Sequence, residues 1–171
     1  GHEKVVAIGE IGLDYYWDRT YTDLQKEVLR LQLALAVELD LPVSFHDREA
    51  HADTLAIVRE FPQVKGVFHC YSGSVEDARI LLKMGWMLSF NGAVTFKNAR
   101  KAPEVIAATP IERMMIETDS PYLTPTPYRG RRNDSGYVHL VAEKIAAIKG
   151  MTVQEVEQIT FENGKRFFGI V

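Results

Sequence analysis

The sequence has little cysteine and no long apolar run. Cys70 is the single cysteine among 171 residues, so an internal disulfide framework is excluded, and we expect a reducing compartment, the cytoplasm. No apolar stretch reaches the roughly 18 residues that a transmembrane helix needs, and no signal peptide opens the chain. These absences predict a cytoplasmic protein that does not span a membrane.

An excess of one charge is also absent. The chain carries 20 Lys and Arg against 23 Asp and Glu, a net charge of −3. This balance argues against a protein that coats nucleic acid or binds membranes through a basic surface, but it leaves room for a local basic patch. No glycine fingerprint of a dinucleotide or phosphate-binding loop follows an apolar run. Because no repeat or linker divides the chain, we expect residues 1–171 to form a single domain.

What the sequence does contain is apolar strands that end in residues able to bind metal. Residues 5–9 precede Glu10, residues 42–45 precede His46, residues 66–68 precede His69, and residues 114–116 precede Glu117 and Asp119. Short apolar runs bounded by breakers predict buried strands, and alternation along a strand would place Glu117 and Asp119 on one face. Buried carboxylates are costly without a cation or a bonded partner. The pattern therefore predicts one shared metal site built from Glu10, His46, His69 and Asp119.

Helical signals separate these strands. Thr22 and Gln25 predict a capping box, followed by a helix whose core face would comprise Leu24, Val28, Leu31, Leu35 and Leu39. Further helices are predicted at 50–60, from the Ser74 cap to Gly85, from Pro103, up to Gly150, and from Thr152 with Glu155, with another strand at 86–90.

Strands that alternate with helices predict an α/β fold with a parallel sheet. An open doubly wound sheet and a (β/α)₈ TIM barrel both place their sites at the carboxyl ends of the strands. Four converging strand ends favour the barrel. Five strands do not close a ring of eight, so either strands are absent or the ring is open.

Five motifs resemble those of the TatD family of metal-dependent deoxyribonucleases, in order over essentially the whole chain. They are residues 7–15 (AIGEIGLDY), 45–48 (FHDR), 68–73 (FHCYSG), 89–92 (SFNG) and 117–121 (ETDSP). The resemblance implies a TIM barrel of the amidohydrolase type, with the five strands here as strands four to eight. The family's first strand carries a His-x-His pair, which this sequence lacks. We therefore expect the three N-terminal βα units to be absent.

The resemblance also implies a reaction and its cofactors. The expected activity is metal-dependent hydrolysis of phosphodiester bonds in DNA, with exonuclease action as one form. Two divalent ions per full-length site are implied, with Glu10 bridging them, His46 and His69 on one ion and Asp119 on the other. Imidazole and carboxylate ligands suit Zn²⁺ or Mn²⁺, and carboxylates with water suit Mg²⁺. Asp119 would orient or deprotonate the attacking water, and Glu117 is the second catalytic candidate.

The expected substrate contacts with DNA are basic or polar side chains near the strand ends. Arg48 follows His46 and offers a forked phosphate donor, and Ser72 offers a hydroxyl close to His69. The other candidates are Lys97 and the arginine loop, defined as Arg129, Arg131 and Arg132. Blander interpretations stay open: a solvated loop for the arginines, a salt-bridge partner for Glu117, and turn-forming roles for Asp14 and Tyr15. Cys70 is expected to face away from His69 as a small buried residue.

Two other functions stay open. One is a catalytically incomplete barrel fragment that binds metal or nucleic acid without efficient turnover. The other is an amidohydrolase reaction on a C–N or C–O bond, although no strand lysine suited to carbamylation stands out. The first strand and the strand before Glu117 would each lack a neighbour. We therefore expect self-association through these edges, or pairing with an absent N-terminal segment.

Overall fold

The computed structural model describes residues 2–170, in which five strands alternate with six α-helices. The elements are β1 (Ile8–Asp14), α1 (Thr22–Leu39), β2 (Val43–Arg48), α2 (His51–Glu60), β3 (Gly66–Phe68), α3 (Val75–Lys83), β4 (Met87–Phe90), α4 (Ala102–Ala108), β5 (Met114–Ile116), α5 (Val138–Lys149) and α6 (Val153–Phe168). Short 3₁₀ helices cover Gly92–Thr95, Ile111–Arg113 and Ser135–Tyr137. The predicted α/β class is confirmed. None of the helices between residues 2 and 170 has the length and hydrophobicity to cross a membrane.

The five strands form one parallel sheet in the order β1-β2-β3-β4-β5. In a doubly wound sheet the strand order reverses at a switch point, and no reversal occurs among the described strands. Right-handed crossovers without reversal place successive helices on the same face, as in the wall of a barrel. β1 and β5 each have one strand neighbour within residues 2–170, so this part of the wall is open.

The two faces of the sheet differ in their cover. Phe45, Phe68 and Leu88 point to the helices and join residues from all six of them in one large buried cluster. On the opposite face, Val67 packs with Met87 and Met115 in a smaller cluster. The helices therefore cover one face, whereas the opposite face carries this smaller cluster, against which Phe167 and Phe168 at the end of α6 pack, and the polar residues described below.

Most of the predicted helix signals are confirmed. The Ser74 hydroxyl accepts from the Asp77 amide, Thr152 and Glu155 form a capping box, and Gly150 ends α5 in the left-handed conformation. The predicted capping box at Thr22 is wrong. α1 begins at Thr22 with Tyr21 as its N-cap and without a side-chain cap, because Gln25 forms other hydrogen bonds.

The predicted core face of α1 is also wrong. Its members Leu24, Val28, Leu31, Leu35 and Leu39, called here the leucine stripe, are each between 41% and 66% exposed. The buried residues of α1 are instead Leu29, Leu33 and Ala36. The helix carries two apolar stripes, and periodicity alone does not decide which one faces the sheet.

β1 differs from its predicted bounds and depends on a glycine. The strand runs from Ile8 to Asp14 rather than over residues 5–9, so Glu10 lies inside it. Gly12 pairs with His46 of β2 and has a φ of +153°, and a Cβ at this position would lie 1.8 Å from the His46 carbonyl oxygen. Only glycine permits this approach, which brings Glu10 and Asp14 beside His46.

Candidate metal centre

Three metal-binding side chains converge at the carboxyl end of the sheet. β1 supplies Glu10, β2 supplies His46, and His69 follows β3 directly. The Nε2 atom of His69 lies 3.2 Å from Glu10 Oε2 and 3.2 Å from His46 Nδ1. One ligand atom from each residue lies within 4.8 Å of the others. The structure thus brings together three of the four predicted ligands.

The donor chemistry of this group fits a divalent ion. One carboxylate and two imidazoles form a ligand set suited to Zn²⁺ or Mn²⁺. The facing nitrogens of His46 and His69 would repel each other if both were unprotonated, so a proton or a cation must lie between them. A cation bound there would also offset the carboxylate of Glu10.

Asp14 orients His46, which the sequence interpretation did not foresee. Its Oδ2 lies 3.0 Å from His46 Nε2, and its Oδ1 accepts the Tyr16 amide at 2.9 Å. Gln25 fixes the Asp14 backbone by accepting from its N–H at 2.9 Å and donating to its carbonyl at 3.0 Å. Burial raises the pKa of Asp14, but the hydrogen bond from His46 and nearby amides outweigh it, and the pKa is lowered. Side-chain alternation places Asp14 on the same face as Glu10 only if β1 extends to Asp14, and the sequence analysis ended this strand earlier.

Glu117 holds His69 from the other side. Its carboxylate accepts from the Cys70 amide at 2.8 Å, from the Ser89 hydroxyl, and from the Asn91 side chain at 3.3 Å. Its Oε1 lies 3.4 Å from His69 Nδ1. The bond with Ser89 places Glu117 on the face opposite the helices, where alternation predicted it. With three other donors engaged, this carboxylate is anchored and directs His69 Nε2 toward Glu10 and His46.

The titration behaviour of this pair follows from its contacts. Burial raises the pKa of Glu117, but hydrogen bonds from His69, Ser89 and the Cys70 amide outweigh it, so the pKa is lowered. Burial lowers the pKa of His69, but the carboxylates of Glu117, Glu10 and Asp119 outweigh it, so the pKa is raised. Both shifts favour the charged forms, as expected of a carboxylate–imidazole pair.

Asp119, the fourth predicted ligand, lies beyond the end of β5. Its φ is +58°, so strand alternation does not determine its direction. Burial raises its pKa, and the charges of Glu117 and Glu10 add to this effect, while His69 and His46 oppose it. Asp119 is outside the three-residue ligand group, but its charge acts on the same two histidines.

Asn133 anchors the segment that carries Asp119. Its side-chain amide donates to the carbonyls of Thr118 at 2.8 Å and Tyr122 at 2.6 Å, and it is 2% exposed. Asn133, which follows the arginine loop directly, received no role in the sequence analysis. Composition does not show that a loop amide is buried against two distant carbonyls.

The arginine loop and Lys97 lie near aromatic rings. The Arg129 guanidinium is 3.9 Å from the centroid of Phe96, directly before the exposed Lys97, and that of Arg131 is 5.4 Å from Tyr128. Arg132 lines a shallow cavity of about 590 Å³ with Thr118 and other residues of the loop. All three arginines are exposed, so both the solvated loop and the DNA contact stay open for them.

Ser72 and Cys70 line a second cavity of about 470 Å³, together with Phe96 and residues at the start of α4. The alternation argument for Cys70 does not hold, because β3 ends at Phe68 and Cys70 has a φ of +48°. Cys70 is partly exposed, and burial raises the pKa of its thiol to about 11.

Comparison with known proteins gives consistent matches. The family model described as TatD related DNase matches residues 1–169. The uncharacterized metal-dependent hydrolase YabD of Bacillus subtilis (strain 168) is 54% identical over 171 residues, covering 99% of this chain and 67% of that protein. The uncharacterized metal-dependent hydrolase YcfH of Escherichia coli (strain K12) is 44% identical over 170 residues, covering 98% and 64%.

Solved structures also match. YJJV, a TatD homolog from Escherichia coli K12, superposes with a TM-score of 0.91 at 30% identity. The match covers 99% of this chain and 66% of the YJJV chain. A TatD family hydrolase from Entamoeba histolytica gives 0.85 at 27% identity, with 98% and 64% covered. The chain thus spans about two thirds of the length of these proteins. The family match does not support the expectation that an N-terminal portion of the family domain is lacking.

Proposed function

Since the chain belongs to the TatD-related DNase family of metal-dependent hydrolases, we propose that it hydrolyses phosphodiester bonds in DNA with divalent metal ions. The observation that carries this proposal is the convergence of Glu10, His46 and His69 at one end of a parallel sheet. Exonuclease action and a cytoplasmic location belong to the same proposal.

Glu10, His46 and His69 would hold one ion, which we propose to be Mg²⁺, Mn²⁺ or Zn²⁺. Asp119 would hold a second ion together with Glu10. Such ions lower the pKa of bound water and offset the negative charge of the phosphodiester.

The remaining polar residues would position the reacting groups. Asp119 is partly buried near the charges of Glu117, Glu10 and His69, and we assign its carboxylate to orienting the attacking water or accepting a proton from it. Glu117 is anchored by three donors besides His69, so we assign it to orienting His69 rather than to proton transfer. Asp14 does the same for His46.

The proposed contacts with DNA are basic or hydroxyl groups around this centre. Their positions at the carboxyl end of the sheet suit phosphate binding, since arginine donates two parallel hydrogen bonds to phosphate oxygens. The set comprises Arg48, Ser72, Lys97, Arg129, Arg131 and Arg132.

A second candidate function is metal or nucleic-acid binding without efficient turnover. The observation that favours it is the exposure of Glu10, whose side chain is 56% exposed on the edge strand β1. A ligand in this position is less restrained than one between two strands, and an ion held by it would exchange more easily.

Both candidates are tested with labelled oligonucleotides incubated with the chain and Mn²⁺, with a chelator as the blank. We expect cleavage that Asp119→Asn nearly abolishes. Asp40→Asn is the matched control, because Asp40 is exposed at the left-handed C-cap of α1, where asparagine fits equally well. Metal binding measured by calorimetry without DNA cleavage would select the second candidate function. The absence of both metal binding and cleavage would contradict both candidate functions.

A further inference from the structure

Two aromatic rings and an arginine form an exposed surface at the end of β1. Tyr16 is 49% and Trp17 is 78% exposed, and their rings meet edge to face with centroids 4.9 Å apart. The Arg48 guanidinium lies 3.7 Å from the centroid of Tyr16 and 5.6 Å from that of Trp17. We call Tyr16, Trp17 and Arg48 the aromatic platform.

The platform is joined directly to the metal centre. The Tyr16 amide donates to Asp14 Oδ1, while the other carboxylate oxygen of Asp14 contacts His46. Arg48 follows His46 by two residues on β2 and pairs with Asp14 in the sheet. A ligand group resting on the platform would therefore lie next to whatever occupies the Glu10–His46–His69 group.

The exposure of Trp17 has no explanation in the fold itself. The other tryptophan, Trp86, is 2% exposed and packs on Phe45 and Phe68 in the core. Trp17 contacts Tyr16 and Arg48 instead, and leaving its large apolar surface in water gains no burial energy.

The chemistry of the platform favours a nucleobase over an aliphatic partner. Unpaired bases stack on aromatic rings and on guanidinium planes, and arginine also binds the adjoining phosphate. The leucine stripe of α1 is the contrasting case, because it is purely aliphatic. An interior base of a duplex has both faces covered by its neighbours, so apart from the duplex ends the platform is accessible only to an unpaired base.

We propose that the aromatic platform stacks an unpaired nucleobase of the strand whose phosphodiester lies at the metal centre. Naming this strand as the substrate rests on the proposed function. The stacking itself requires no metal and no cleavage, so it can be tested separately.

The test uses tryptophan fluorescence of the 171-residue chain in a chelating buffer, where no hydrolysis occurs. The probes are a short oligothymidylate, which forms no internal pairs, and a long linear duplex at the same nucleotide concentration, in which every base is paired. We expect oligothymidylate to quench the exposed Trp17 and the duplex to quench it much less. In Trp17→Phe only the buried Trp86 is left to emit, and its signal should not respond.

Affinity is then measured by anisotropy of labelled oligothymidylate. Trp17→Leu should weaken binding roughly 5- to 150-fold, which corresponds to the 1–3 kcal/mol of one base–aromatic stack, whereas Trp17→Phe should retain most of it. Tyr21→Leu is the matched control, since Tyr21 is a similarly exposed aromatic residue of the following loop and belongs to no arginine–aromatic contact found in residues 2–170. Its affinity should stay unchanged.

Three results would overturn the proposal: equal affinities of Trp17→Leu and the unsubstituted chain, equal quenching by the duplex, or no binding of oligothymidylate at the highest soluble concentration. Failure of the proposed function looks different. In that case quenching and the Trp17→Leu effect persist in chelator, while no cleavage follows when Mn²⁺ is added.

Discussion

Replacing Glu117 with glutamine tests whether its carboxylate holds the metal centre together. The substitution keeps the size of the side chain and removes its charge. The Ser89 hydroxyl can rotate to accept from the new amide group, and the amide oxygen can still accept from the Cys70 N–H. The geometry should therefore survive, and the loss should come from the missing charge opposite His69.

The magnitude follows from these contacts. A hydrogen bond to a charged group contributes about 1.5–3 kcal/mol, against about 1 kcal/mol for a neutral one. We expect Glu117→Gln to lower the free energy of unfolding by about 0.5–2 kcal/mol, the difference between a charged and a neutral hydrogen bond. Because His69 Nδ1 then faces a neutral amide oxygen instead of a carboxylate, metal affinity should also fall, by about 10- to 100-fold.

The assay combines urea denaturation with calorimetric titration of Mn²⁺. Ser89→Ala removes the hydroxyl that donates to the charged Glu117 carboxylate and should cost about 1.5–3 kcal/mol. Glu112→Gln is the matched control on the 3₁₀ helix before β5, where the glutamate is exposed, and its effect should stay within about 0.5 kcal/mol.

The pH dependence supplies a further check. The pKa of Glu117 is lowered on folding, so its stabilisation is complete above the unfolded value of about 4.3 and is lost as pH falls through the folded value. The deficit of Glu117→Gln should therefore be full at neutral pH and shrink in acid. Unchanged stability and unchanged metal affinity at neutral pH would refute the assignment of Glu117 as the residue that holds His69.

Three other predictions concern the surface and its charges. Alanine at all three positions of the arginine loop should raise KM and leave kcat nearly unchanged in steady-state assays. The slope of log affinity against log salt concentration should become less steep by about 0.7 for each lost phosphate contact. A lower kcat at constant KM would contradict this prediction. The hydrogen bond that His51 donates to the Asp47 carboxylate outweighs burial and raises the pKa of His51. His51 therefore stabilises the fold below about pH 6.5, and this contribution is lost as pH rises through the folded value. In urea denaturation, His51→Gln should therefore lower the free energy of unfolding in mild acid and leave it nearly unchanged in mild alkali. The same loss of stability at both pH values would exclude a role for the charge of His51. Leu31→Glu, in the most exposed position of the leucine stripe, should reduce any self-association seen by light scattering without lowering stability, and a large loss of stability would show that the stripe is buried in solution.

The strand-end pattern was the part of the site that could be predicted from the sequence. His46 and His69 lie at or directly after the short apolar strands β2 and β3, and parallel strands bring their carboxyl ends to one edge. Glu10 was identified although most of the apolar run before it, residues 5–9, lies outside β1. Asp119 was the limit of this reasoning. Its position depends on a positive φ after β5 and on the Asn133 amide, and neither follows from side-chain alternation.

The helices show a similar division. Periodicity and capping residues predicted where α3, α5 and α6 lie, because caps such as Thr152 act locally. The burial of α1 was predicted wrongly, since both of its apolar stripes fit a helical period and tertiary packing alone selected Leu29 and Leu33. Gln25 was also assigned wrongly, to a local cap, because its actual partner is set by tertiary structure. That partner, Asp14, is 11 residues away along the chain.

The contact at Gly12 has a consequence for how the chain tolerates mutation. Gly164, in α6, has open space where a Cβ would be, so it can vary with little penalty. At position 12 any larger residue meets the His46 carbonyl and also adopts a strained backbone. The change would push β1 away from β2 and move Glu10 and Asp14 off His46 together. Variants at this single position should therefore disrupt both the pairing of β1 with β2 and the metal centre. No substitution here should change one of them and preserve the other.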